Sequence, residues 1–172
     1  MSKALIVIDV QNDFVTGDLG TKEAQKALSA IEKLVDECYM AHDHIYYTRD
    51  THDINYLQTQ EGRRLPVAHC QYGSWGWRVV GGVDYSAGKT VTYLNKGQFG
   101  YDDWESEHLD QYEEVVICGL CTDICVISNA LIIKSLYPEL RITVVSSACA
   151  GTTPQRHLAA LDVMRSCQID IK

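Results

Sequence analysis

Val115-Val116-Ile117-Cys118-Gly119-Leu120-Cys121-Thr122-Asp123-Ile124-Cys125-Val126 reads as a buried β-strand passing through a glycine-marked turn into a helix, with a cysteine in the first helical turn. An apolar, β-branched run of this kind suits a central parallel strand covered on both faces. The first turn of a helix has unpaired N–H groups and the positive end of the helix dipole, both of which favour thiolate over thiol. Cys125 is therefore the candidate nucleophile, and the N–H groups of the same turn are candidates for an oxyanion hole. The competing reading makes Cys125 a small buried hydrophobe, the usual fate of a free cysteine.

The rest of the chain repeats the strand-then-helix pattern. Ala4-Leu5-Ile6-Val7-Ile8 is a first strand that stops at Asp9, and His44-Ile45-Tyr46-Tyr47-Thr48-Arg49 is a second that ends at Asp50. Thr90-Val91-Thr92-Tyr93-Leu94 is a third, with Lys96 just past its end; Arg141 to Val145 is a fifth, and Ile169-Asp170-Ile171 is a short sixth. Ala24, Ala27, Leu28, Ile31, Leu34, Val35 and Cys38 recur at helical spacing between the first two strands. A short acidic helix is expected around Asp102 to Leu109. The helix after the opening stretch is apolar on nearly every side and stops before Pro138. Thr153-Pro154 caps and starts the last helix, for which Leu158, Leu161 and Met164 form the apolar stripe.

This alternation predicts an α/β fold: a three-layer α/β/α sandwich with a central, mostly parallel sheet, and residues 1–172 as a single domain. In such sheets ligands bind beyond the carboxyl ends of the strands. Those ends carry Asp9, Asp50, Lys96 and the Cys125 turn. Residues 53–88 form a long connection holding His69, Trp75 and Trp77, and connections of that length in a compact domain are usually functional.

A chain of 172 residues with 46% hydrophobic content can bury a core without staples. The net charge of −8 argues against a nucleic-acid or anionic-membrane partner and for a small uncharged or cationic one. No apolar run approaches the roughly 20 residues of a membrane span. Seven cysteines scattered through apolar segments fit reduced thiols, so the expected compartment is the cytoplasm.

At the strand ends, Asp9 is expected to take the Cys125 proton and later return it to a leaving amine, with Lys96 stabilising the developing negative charge. Asp50 and His52, two apart in extended chain, point the same way and can chelate one ion; His69 could return from the long connection as a third ligand, with Cys70 a less attractive choice. One carboxylate and two imidazoles suit zinc, iron or manganese with open positions left.

Taken together, Ile8-Asp9-Val10-Gln11-Asn12-Asp13-Phe14, Asp50-Thr51-His52, His69-Cys70, Lys96-Gly97-Gln98-Phe99 and Gly119 to Val126 resemble the isochorismatase-like cysteine hydrolases, especially their nicotinamidase branch. The resemblance runs in order from about residue 3 to residue 153. It implies Asp9, Lys96 and Cys125 as a catalytic triad working through a thioester, and a metal ion, zinc first, held by Asp50, His52 and His69. A cis peptide at Leu120-Cys121, turning the Cys121 and Cys125 N–H groups into the oxyanion hole, is implied as well. Phe14 matches a ring-contacting phenylalanine. Pro66 stands where nicotinamidases commonly carry a second aromatic residue, so Trp75 or Trp77 is expected to replace it.

The leading expectation is thus a metal-dependent amidase converting a small (hetero)aromatic carboxamide, such as nicotinamide, to acid and ammonia, assembled as a homo-oligomer. Two rivals remain. One is a metal-free relative acting on a ureido, carbamoyl or vinyl-ether substrate. The other is a thiol redox sensor using Cys121 and Cys125, which would have no need of Asp9 and Lys96 as a proton shuttle.

Overall fold

The computed structural model describes residues 2–86, 88 and 90–172. Its centre is β1 (Lys3–Ile8), buried at every position after Lys3. Chain order continues with α1 (Asn12–Val15), α2 (Lys22–Met40), β2 (His44–Asp50), α3 (Gln60–Arg64), β3 (Val91–Lys96), β4 (Glu114–Leu120), α4 (Ile127–Leu136), β5 (Arg141–Ala150), α5 (Pro154–Ser166) and β6 (Asp170–Ile171). All six strands are parallel, in the order β3-β2-β1-β4-β5-β6. The order reverses between β1 and β4, and that switch point opens the crevice at their carboxyl ends.

Right-handed crossovers from so central a strand place α2 on one face of the sheet and α4 and α5 on the other. The Thr21 side chain caps α2 by accepting the Ala24 N–H, and Ala24, Ala27, Ile31 and Val35 form its buried face. Leu5, Ile6, Ile8, Ile45 and Ile117 supply fully buried side chains from three strands, each stabilising the fold by roughly 1.5–3 kcal/mol. Among the described residues no helix is long and apolar enough to cross a membrane.

Several elements differ from expectation. β3 begins a residue later than expected and runs on to Lys96, which closes the strand instead of following it. β5 extends to Ala150 across a register shift opposite Ile117 and Gly119. The expected acidic helix is two 3-10 turns, Trp104–Glu107 and Leu109–Gln111, tied down by the buried Trp104 indole donating to Asn129 Oδ1 at 2.9 Å. On α5, Leu161 and Met164 are buried but Leu158 is exposed, because only one side of an outer helix meets the sheet. The long connection is also less formless than its composition suggests, since Thr59 accepts the Gly62 N–H and starts α3.

Gly119 shows how closely β1 and β4 approach. It pairs with Ile8, has φ of +121°, and a Cβ there would lie 2.1 Å from the Ile8 carbonyl oxygen. Gly119→Ala should therefore destabilise the protein by about 3 kcal/mol, combining a disfavoured backbone region with a clash that only backbone movement relieves. Urea unfolding measures this; a loss under about 1 kcal/mol would contradict so tight an approach.

Candidate active site

Three side chains meet at the switch point. Asp9 leaves β1 with φ of 48°, a left-handed conformation that turns its fully buried carboxyl across the strand ends. Its Oδ1 accepts the Thr48 hydroxyl at 2.6 Å, which fixes the carboxyl plane. Lys96, at the end of β3, reaches past the end of β2 to place Nζ 2.6 Å from Asp9 Oδ2 and 3.6 Å from Cys125 Sγ, while donating to the Gln98 carbonyl at 3.1 Å. Cys125 lies in a π-helical turn, Thr122–Val126, that leads into α4, and the Leu120–Cys121 peptide just before it is cis.

Burial governs the protons here. It raises the Asp9 carboxyl, opposed by Lys96, and pushes the Cys125 thiol well up, helped by the Asp9 charge and only partly offset by Lys96. Burial by itself would lower the Lys96 ammonium, but Asp9, Cys125 and Asp50 together reverse that and keep it charged. Burial, with Cys125 only 6% exposed, thus works against the partial charges of the helix start that would favour a thiolate. Asp9 is the carboxyl group placed beside Cys125 and Lys96 to act as a base toward the thiol.

Asp50, His52 and His69 converge next to this group, their ligand atoms all within 4.8 Å of one another. Asp50 Oδ2 is 3.0 Å from His52 Nε2 and 3.3 Å from His69 Nε2. His69 Nδ1 is bonded to the Val67 carbonyl at 2.8 Å, leaving Nε2 to face the cluster. Two residues of the loop after β1 brace the arrangement. Gln11 bonds the Asp50 backbone twice, Nε2 to O at 2.9 Å and Oε1 from N at 2.8 Å, and Asp13 Oδ2 accepts the Cys70 N–H at 2.7 Å. An oxygen and two imidazole nitrogens, buried and oriented by second partners, fit a divalent cation. Cys70 is not among the converging ligands, and burial, with the Asp50 charge after it, pushes its thiol up.

A cavity of about 270 Å³ opens above Cys125, walled by Phe14, Leu19, Leu65, Phe99 and Ile124 and reached by Asp50, Glu61 and His69. Phe14 lies where expected, its ring 5.6 Å from that of His69. Trp75 and Trp77 do not line it. Trp75 is 58% exposed beside a separate cleft, and Trp77 donates its indole N–H to Thr51 Oγ1 and carries the Arg49 guanidinium on its face, so the loop directs both rings away from the cavity. Phe99 is the second aromatic residue lining the cavity, with Phe14. Glu61, 3.8 Å from His52 Nε2, was equally unforeseen; the only sequence signal was the Thr59 cap that puts it in the first turn of α3.

A parallel doubly wound sheet with thiol, carboxylate and ammonium in contact at its switch point is the architecture of a nucleophile-bearing α/β enzyme. The isochorismatase domain family matches residues 3–171. An uncharacterised isochorismatase family protein of Bacillus subtilis (strain 168) is 31% identical, over 94% of this chain and 93% of that protein. The crystal structure of a nicotinamidase/pyrazinamidase from Bacillus subtilis superposes with a TM-score of 0.89 at 27% identity, covering 99% of each chain. A pyrazinamidase of Pyrococcus horikoshii in complex with zinc superposes at 0.85 with 26% identity, covering 100% of this chain and 99% of that one. The chain belongs to the isochorismatase family, in its nicotinamidase/pyrazinamidase branch. It is a hydrolase acting on amide C–N bonds.

Proposed function

We propose that the enzyme hydrolyses the carboxamide of a small (hetero)aromatic ring to the acid and ammonia through a Cys125 thioester. The observation that carries this reading is the shared Lys96 ammonium, buried 2.6 Å from Asp9 and 3.6 Å from Cys125, behind a Cys125 that itself lines a cavity of about 270 Å³. As Sγ attacks the amide carbon, Asp9 takes the thiol proton, and the Cys121 and Cys125 N–H groups receive the oxyanion. Collapse breaks the C–N bond as Asp9 returns the proton to the leaving nitrogen. Asp9 then deprotonates a water that attacks the thioester, and Cys125 leaves as the thiol. Lys96 keeps Asp9 in place and offsets the negative charge that passes between carboxylate and sulfur. Asp50, His52 and His69 would hold a divalent cation, zinc being the first candidate, which when bound supplies a Lewis-acid position for a substrate heteroatom.

Phe14 and Phe99 flank the space for the ring, and aromatic pairing of this kind is worth roughly 0.5–1.5 kcal/mol. Ammonia release measured with nicotinamide, pyrazinamide, benzamide and an aliphatic amide tests the assignment. Nicotinamide and pyrazinamide should turn over fastest, by about tenfold or more over benzamide, whose ring has no nitrogen to orient. Equal rates for benzamide and nicotinamide would refute orientation through the ring nitrogen. Silence on all four amides would redirect the search to ureido and carbamoyl compounds.

A further inference from the structure

The catalytic turn is gripped from behind by the junction between β5 and α5. Thr122 Oγ1, fully buried, is hydrogen-bonded to His157 Nδ1 at 2.8 Å. One residue on, Asp123 accepts the Thr152 N–H at 2.8 Å and the Thr152 hydroxyl at 2.6 Å. A Cβ on Gly151 would lie 2.9 Å from Asp123 Oδ1 and equally close to His157 Cα and Cβ, so the two segments are seated against each other with no slack. Thr122 stands between the two backbone N–H groups proposed to receive the oxyanion, and its side chain is the handle by which that stretch is held.

We infer that His157 is a positioning residue for the reaction: by fixing Thr122 it sets the direction in which the Cys121 and Cys125 N–H groups face the substrate carbonyl. It touches no reacting atom, since it lines a separate cavity with Cys149, Gly151 and Pro154 and not the one above Cys125. The inference rests on the amidase reading, so its test includes an arm without turnover.

Three variants are compared with the wild type. His157→Ala removes the contact, His157→Asn puts an amide nitrogen near the Nδ1 position, and His157→Gln reaches instead toward Nε2. His157→Ala should lower kcat by roughly tenfold to a hundredfold with KM changed less than about twofold, and His157→Asn should recover most of the loss. The second arm uses pyridine-3-carbaldehyde. Sγ bonds the aldehyde carbon while the thiol proton passes by way of Asp9 to the carbonyl oxygen, giving a thiohemiacetal whose oxygen occupies the oxyanion position. Its affinity should fall about tenfold in His157→Ala and return in His157→Asn, whereas iodoacetamide, whose reaction with Cys125 develops no oxyanion, should alkylate all forms at one rate.

The aldehyde pattern without turnover of any amide would sink the amidase reading and still support the role of His157. Wild-type kcat and aldehyde affinity in His157→Ala would overturn the inference, as would an equal loss of alkylation rate or a wild type that fails to bind the aldehyde. Should His157→Ala not fold, activity in His157→Asn exceeding that in His157→Gln supports the role, and equal activity refutes it.

Discussion

Cys125→Ala is expected to leave no measurable turnover while the protein stays folded. The rate should fall by several orders of magnitude, because the Cys125 sulfur is the nucleophile held 3.6 Å from the ammonium that pairs with Asp9. The stability cost should be only about 1 kcal/mol, since exchanging a buried thiol for a methyl removes one atom from a core that is otherwise intact. Cys121→Ala should be mild by comparison, as the backbone of that residue, not its side chain, is proposed to work. Asp9→Asn and Lys96→Met should each be nearly inactive for different reasons. The first loses the base that a buried thiol requires, and the second leaves the Asp9 carboxylate buried without its counter-ion. Ammonia release together with urea unfolding separates the effects on rate from those on stability. Wild-type turnover in any of the three inactive variants would break the proposed triad.

Removing the metal site should be nearly as damaging. One divalent ion per chain is expected by elemental analysis, falling toward zero in His52→Ala and in His69→Ala. Activity should drop in parallel by at least tenfold to a hundredfold, the range typical of weakened metal sites. Chelation of the wild type should mimic the variants, and re-addition of zinc, iron or manganese to the stripped protein should show which ion restores the rate. Glu61→Gln should have a smaller effect on metal content, because its carboxylate stands at 3.8 Å from His52 and outside the three-residue group. Fully active protein that carries no ion would move the function to the metal-free members of the family.

Much of this was legible in the linear chain because it depends on local order. The continuous apolar runs Ala4 to Ile8 and Val115 to Cys118 can only be strands covered on both faces, and helical spacing from Ala24 to Cys38 can only be a crossover between parallel strands. Once the strands were placed, their carboxyl ends named Asp9, Asp50, Lys96 and Cys125 as neighbours, and the motif around each named the family. What local order could not supply was which side of a loop faces the substrate. Trp75 and Trp77 have the composition of ring-binding residues, but Gln11 and Asn12 bond the carbonyls of Trp77 and Trp75 and hold that loop with neither ring in the cavity. Phe99 and Glu61 reach the cavity instead, from positions that carry no periodic signal. Nor could the sequence reveal how deeply Cys125 is buried. The position at a helix start argues for thiolate, while the depth of burial beside Asp9, seen only in the tertiary structure, pushes the thiol up and works the other way.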